Sequence, residues 1–444
     1  MTVRIGTGAG FSSDRLAPAL TLIEEGQLDY IIFECVGERT LAFGHRDRMA
    51  DPTKGYNKQL EARMRGVLPL AVKHGTRVVT NMGVANPSMA AERTVAIARA
   101  LGLDGLKVTY IDGDEVSDRI GPDTEVPEIQ GRVKDVGKPV VGANAYIGAD
   151  ALLPALEAGA DVVITGRCAD PSLFLAPLRY HYGWAGDDWA RMGAGTLVGH
   201  LMECGMQITG GYFADPGRKD VADLANCGFP IAEVEADGSA VITKLDSAGG
   251  LVDTRTVKEQ LLYEVHNPEA YLTPDVTADF SQTHIDQSAK NRVRVSEATG
   301  RQRPDLLKVT LAFDGGVLAE GGISYAGPGA STRARLAADI LEVRMREVHG
   351  LQEKIRCDLI GVQSVLATAK RDDRPESEDV RLHVAMRTDE KERAENLLWE
   401  IESLLCCGPA GGGGFRGHIQ AAVHTESAYL PRADVPTSFT MLTA

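Results

Sequence analysis

KPVVGANAYIGADALLPALEAGADVVITGRCADPSLF, residues Lys138 to Phe174, decides how the chain reads. Val140–Val141 and Asp161–Thr165 are short β-branched runs, and Ala149–Ala158 between them spaces Leu152, Leu153 and Leu156 as a helix before Gly159 stops it. Two such strands joined by a helix of this length predict a right-handed βαβ unit in a parallel sheet. The loops NAYIG and GRCADPS then leave the carboxyl ends of neighbouring strands, where open α/β sheets and α/β barrels place their ligands.

Working back from this unit, the pattern repeats. Strands are predicted at Val3–Gly8, Asp29–Phe33, Thr76–Thr80 and Lys107–Ile111, giving six with the opening pair. Helices are predicted at Asp14–Glu25, Leu60–His74 and Met89–Leu101, and FGHRDRMADPTKGYN (Phe43–Asn57) reads as a long polar loop whose His45, Arg46 and Arg48 suit an anion. Each strand is followed by a loop holding Gly with Asn, Asp, Ser or Arg, whereas EGQLD, KHGTR and EAGAD at the other ends are plain turns. That asymmetry puts the working rim at the carboxyl ends. Six strands, not eight, favour a doubly wound, Rossmann-like sheet over a barrel, in a parallel α/β domain of residues 1–224.

Residues 225–444 read as a second, α+β domain. FPIAEVEADGSAVITK (Phe229–Lys244) is a hairpin turning at Asp237–Gly238. From about 305 to 425 the order is strand, helix, strand, strand, helix, strand, the split ferredoxin-like arrangement, with the charged run KRDDRPESED (370–379) as a hairpin loop.

Composition excludes several classes. With 444 residues, 43% hydrophobic and 25% charged, the chain is that of a soluble globular protein with more than one core. Forty-seven basic against 62 acidic residues leave a net charge of −15, which argues against nucleic-acid or membrane-surface partners. Seven scattered cysteines without C-x-x-C, and a start lacking a secretory pattern, point to the cytoplasm.

The candidate residues follow from the rim. GTGAGFSSDR (Gly6–Arg15) departs from the dinucleotide fingerprint G-x-G-x-x-G, so Gly8, Gly10, Ser12 and Ser13 read as a tight turn or an amide seat for a phosphate or carboxylate. Glu34 ends the second strand, with Glu38 and Arg39 just beyond. Asn81 follows the third, and Asp112 opens DGDEV after the fourth, where acids this close are either a metal seat or a Gly–Asp turn. Asn144, Arg167, Cys168 and Asp170 stand on the two loops of the opening unit. In GHLMECG, His200, Glu203 and Cys204 share a helix face, a spacing open to catalysis, to metal or to packing. Gly412, Gly413 and Arg416 in CCGPAGGGGFRG form a second candidate anion cradle. Glu34, Asp112, Cys168, Asp170 and His200 are the candidate catalytic groups, the others bind substrate, and no metal set is complete.

RIGTGAGFSSDRLAPAL, FECVGERTLA, VVTNMGVANPSMAA, the opening unit, GHLMECGMQITGGYF, FPIAEVEADGSAVITK, GGLVDTRTVKEQLLYEV and GPAGGGGFRG together resemble the acyclic terpene utilisation AtuA family, in order along the chain. The resemblance implies bacterial catabolism of acyclic terpenes or other organic acids beside acyl-CoA enzymes, and carries no assigned catalytic residue. The expected function is therefore proton transfer on a small organic acid or its CoA thioester, of the hydratase, dehydratase or isomerase type. CoA enters only as part of the substrate. The competing expectation is a non-catalytic acyl- or CoA-binding subunit, and both suit a homo-oligomer or a small partner subunit.

Overall fold

A computed structural model describes residues 2–352, 355–366 and 377–444. The run from 370 to 376 that reads as a hairpin loop lies outside these residues. In chain order the first elements are β1 (Val3–Ala9), α1 (Ala17–Glu25), β2 (Tyr30–Phe33), α2 (Glu38–Ala50), α3 (Leu60–His74), β3 (Arg77–Thr80), α4 (Pro87–Ala100) and β4 (Lys107–Asp112). Next come β5 (Glu125–Val126), β6 (Gly131–Arg132), β7 (Val140–Ala145), α5 (Ala149–Glu157), β8 (Val162–Ile164), α6 (Ser172–Tyr182), α7 (Trp189–Glu203), β9 (Pro230–Val234) and β10 (Ala240–Lys244). They are followed by α8 (Thr254–Leu262), β11 (Tyr271–Leu272), β12 (Thr277–Asp279), β13 (His284–Ala289), β14 (Arg292–Ser296) and β15 (Thr299–Arg301). The last are β16 (Leu306–Ala326), α9 (Ala330–Glu347), β17 (Arg356–Ile360), β18 (Asp379–Thr388), α10 (Lys391–Cys407), β19 (Gly413–Pro431) and β20 (Ser438–Thr443).

The chain is mixed α/β, with ten helices among the described residues and one large mixed sheet in the order β13-β14-β10-β9-β1-β2-β3-β8-β4-β20. Its centre, β1-β2-β3-β8-β4, is parallel, and the strands on both flanks are antiparallel. Tyr30–Phe33 is buried throughout, as central parallel strands must be when helices cover both faces. Ile31, Val78, Val108 and Val162 from the sheet meet Leu22 and Ile23 of α1, Val67 of α3 and Ile97 of α4 in one core.

Three sequence expectations change. The βαβ unit is not formed as predicted. Both edges of β8 are taken, by β3 and by β4, so β7 has nowhere to pair beside it. β7 pairs instead with β16, and Tyr146 N–H donates to Lys308 O. The six-stranded parallel sheet is thus five parallel strands with antiparallel additions. The loops of the opening unit still meet, because Ile147 and Cys168 form a parallel bridge. The polar stretch read as a loop from Phe43 is α2 as far as Ala50, since Leu41 has an apolar partner in Val84 and His45 is buried. And where the sequence starts a second domain at 225, the chain continues in the same sheet: β9 pairs antiparallel with β1, then β10, β14 and β13 add in turn.

Two compact units result, Met1–Ala312 with Thr425–Ala444, and Phe313–His424. The second has strand order β17-β18-β16-β19 and two helices, α9 and α10. Alternate residues of β18 (Val380, Leu382, Val384, Met386) are buried with Leu341 of α9 and Leu397 and Ile401 of α10. No helix among the described residues is long and apolar enough to cross a membrane.

In the first unit, α7 is nearly all buried and passes close to other backbone. A Cβ at Gly193 would lie 2.0 Å from the Thr299 carbonyl oxygen, and one at Gly199 2.6 Å from that of Pro171. Only glycine permits this approach, and it fixes the helix that ends on Glu203.

Candidate active site

The loops after β1, β2 and β8, the end of α7 and the stretch around β11 enclose a cavity of about 1220 Å3, all within the first unit. Glu34 lies in its wall, buried, directly after β2. Asn81 Nδ2 donates to its Oε1 at 3.0 Å, and Val36 N–H to the same atom at 2.8 Å. Burial first, then the charge of Asp170, push the Glu34 carboxyl up to about 8, against the pull of Asn81 and Arg167. Glu34 is thus a neutral acid at neutral pH.

Arg167 enters from the GRCADPS loop, and its guanidinium is buried. Nη1 donates to Asp170 Oδ1 at 3.1 Å and to Val36 O, while Nη2 has no protein partner among the described residues. The plane stacks on Tyr146, 4.0 Å from the ring centre. Asp170, with 32% of its side chain open, is raised by burial against the charge of Arg167. Beyond Tyr146, its hydroxyl donates to Glu38 and Lys308 Nζ approaches the same carboxyl at 3.3 Å. Burial works to raise Glu38, but the charge of Arg167, with Tyr146 and Lys308, outweighs it and holds the group at about 2.

The wall therefore carries one carboxyl held neutral, one held ionised, and Asp170 between two influences. Environments that drive neighbouring acids apart are those that separate general acid from general base.

The opposite wall is formed by Glu203, buried on the last turn of α7. His200 Nδ1 lies 3.0 Å from Glu203 Oε1, and His200 Nε2 lies 3.1 Å from Leu261 O. A carbonyl only accepts, so Nε2 carries the proton. Burial between Tyr271 and Phe280 pushes His200 down to about 4. Burial, then Asp170 and Glu264, push Glu203 well above the usual carboxyl range. The neutral imidazole thus accepts at Nδ1 a hydrogen bond from a protonated Glu203.

Of the sequence candidates, Glu34, Asp170, Arg167, Gly10 and Ser12 line the cavity together. Gly10 is required by close approach, since a Cβ there would meet the Cys204 backbone at 2.4 Å. Asn81 stands behind Glu34, and His200 behind Glu203. Cys168 is buried outside the lining, its thiol pushed well above its usual range by burial. Gly8 backs onto the Phe33 ring, and Ser13 is exposed. Asp112 sits in register with Ser438 of β20, and Asn144 bridges Asp114 and His45, both away from the lining. Gly412, Gly413 and Arg416 belong to the second unit, where Gly413 begins β19 and Arg416 Nη1 donates to Phe415 O. Among the described residues no group of three or more His, Cys, Asp or Glu is placed to hold a metal ion.

Sequence reasoning did not select Glu38, Glu203, Tyr146 or Lys308 as site residues. Glu38 and Glu203 had local signals, beside Glu34 and one turn from His200. Lys308 had none, because only the pairing of β7 with β16 brings it to Tyr146.

A family model described as "Acyclic terpene utilisation family protein AtuA" matches residues 3–441, and the chain belongs to that family. Membership implies a part in acyclic terpene utilisation. No curated protein and no solved structure matches the chain.

Proposed function

We propose that this member of the AtuA family is an enzyme that moves a proton on a small organic acid or its CoA thioester, in a hydration, dehydration or double-bond isomerisation. The observation that carries the reading is that Glu34, held neutral, and Asp170, hydrogen-bonded by Arg167 Nη1, line the same cavity. Arg167 Nη2, with Lys308 beside it on the wall, holds the substrate carboxylate or thioester oxygen and takes up charge as it develops there. Asp170 removes the proton next to that carbonyl, and Glu34 returns one. Glu38 serves as counter-ion to the two cations and keeps Tyr146 in place.

The test is incubation in deuterated water with unsaturated and saturated acids and their thioesters. Wild-type protein incorporates deuterium next to the carbonyl. Glu34→Gln and Asp170→Asn lose this while keeping the wild-type melting temperature within a few degrees. Equal exchange in all three proteins would refute the assignment.

A further inference from the structure

We propose that Asp114, which lies outside the cavity, is the positioning residue that aims Arg167 into it, and that Asn144 and His45 hold Asp114 in place. The inference rests on the proposed function and deepens it, since it says how the group assigned to the substrate oxygen acquires its place.

Arg167 stands just beyond the reach of the sheet. β8 ends at Ile164, and Thr165 N–H still donates to Thr80 O. The Arg167 N–H goes instead to a side chain, and Asp114 Oδ2 accepts it at 2.6 Å. A buried backbone N–H must find an acceptor, and here the acceptor fixes the course of the loop. Gly166 makes room for it, because a Cβ there would overlap the Asp114 carboxyl. On the other side, Arg167 O accepts from Ile147 N–H at 3.3 Å, and Ala169 N–H donates back to Ile147 O at 3.0 Å. The backbone of Arg167 is thus pinned at both ends before its side chain meets Asp170, Val36 O and the Tyr146 ring.

Asp114 is itself braced. Asn144 Nδ2 donates to the same Oδ2 at 2.8 Å, which turns Asn144 Oδ1 towards His45 Nε2 at 2.5 Å. An amide oxygen only accepts, so His45 Nε2 donates. Asp114 O also takes the Ala145 N–H at 2.7 Å, and Glu115 forms an antiparallel bridge with Asn144. Asp114, Asn144, His45 and Arg167 are all buried. No cationic side chain forms an ion pair with Asp114 among the described residues. Burying a carboxyl without one is costly, so stability alone would not select this arrangement. Asn144 ends β7 one residue short of Ala145, and Tyr146 follows directly. One segment therefore braces Asp114 and supplies the ring under the guanidinium, and β7, displaced from β8, works as a bracket for Arg167.

The test is a double-mutant cycle on the full chain, read as kcat/KM for deuterium exchange into octanoate, 2-octenoate and their CoA thioesters, with a crystal structure of each variant. Asp114→Ala should lower exchange about tenfold to hundredfold, the scale of a functional group misplaced by roughly 1 Å. Asp114→Asn should stay within about threefold of wild type, because both donors reach one oxygen and an amide oxygen there accepts both. Arg167→Lys, alone or combined with Asp114→Ala, should fall to the same level, since Asp114 acts through Arg167. A merely structural role would make the two losses multiply, and that result overturns the inference. In the crystals the guanidinium should leave the Tyr146 face in Asp114→Ala and keep it in Asp114→Asn. An unmoved guanidinium in Asp114→Ala overturns the inference as well. If Asp114→Ala does not fold, Asn144→Ala decides in its place: it removes one of the two donors and should cost about fivefold, the worth of one net hydrogen bond. Unchanged exchange with an unmoved Arg167 in that variant is again fatal. No exchange by wild type with any of these acids overturns the proposed function, and the crystal structures then decide the inference alone.

Discussion

Asn81 holds Glu34 from behind: its Nδ2 donates to the carboxyl at 3.0 Å while its Oδ1 takes the Cys35 N–H at 2.7 Å. Both residues are buried, so the amide sets the orientation of the acid and tempers its ionisation. Asn81→Ala removes a donor that lowers the Glu34 pKa and strands the Cys35 N–H. The alkaline limb of the exchange profile moves to higher pH, and unfolding free energy falls by about 1–3 kcal/mol in a urea titration.

Stability should depend on pH through Glu34 in a defined direction. Its folded value of about 8 lies above the ordinary 4.5, so the folded state holds the proton more tightly. That contribution is complete below about 4.5 and is lost as pH rises towards 8, by at most about 1.4 kcal/mol per unit. In Glu34→Gln the slope of melting temperature against pH in this window becomes shallower. An unchanged slope would show that Glu34 ionises normally.

Arg167→Lys preserves charge but not the fork that joins Asp170, Val36 O and the open Nη2. Proton exchange should fall about hundredfold, the scale of losing one aligned donor at a developing oxyanion.

Cys168 offers the contrary expectation. Its thiol is buried and stays protonated, so iodoacetamide should modify the exposed Cys406 and Cys407 and leave Cys168 untouched in the native protein. Cys168→Ala should retain exchange within about threefold, as measured beside wild type.

Gly10→Ala tests the seam between the first loop and the end of α7. The new methyl meets backbone of Cys204 that cannot rotate away, whereas at Gly8 it meets the Phe33 ring, a side chain that can shift. Gly10→Ala should therefore lose about 1–3 kcal/mol, more than Gly8→Ala, in parallel melts.

Much of the frame was legible because its signals are local. The buried β-branched runs at Ile31–Ile32 and Val162–Val163 and the helical spacing of Leu152 and Leu156 need no partner to be read. What pairs with what is not local. Val140–Val141 has the same run as any central strand, yet β8 was already flanked, and nothing in the residues says so. The rim argument found Glu34, Arg167 and Asp170 because Glu34 directly follows β2 and the other two stand on the loop that leaves β8. It also drew in Asp112, the last residue of β4, and Cys168, on the same loop as Arg167, both of which lie outside the cavity lining. Lys308 and Tyr146 could not be coupled from spacing, since their meeting is a property of tertiary pairing.

The glycines that bed α7 against Thr299 and Pro171 bear on how the cavity can be reshaped. A helix seated through side chains drifts when those side chains are exchanged, carrying its functional groups with it. One seated backbone to backbone has no such layer to exchange, so Glu203 serves as a datum from which the other walls are measured. Redesign of the pocket can then vary Phe11, Tyr212 or Leu272 freely, while Gly193 and Gly199, which lie outside the cavity lining, are the positions where a single methyl would displace the site as a whole.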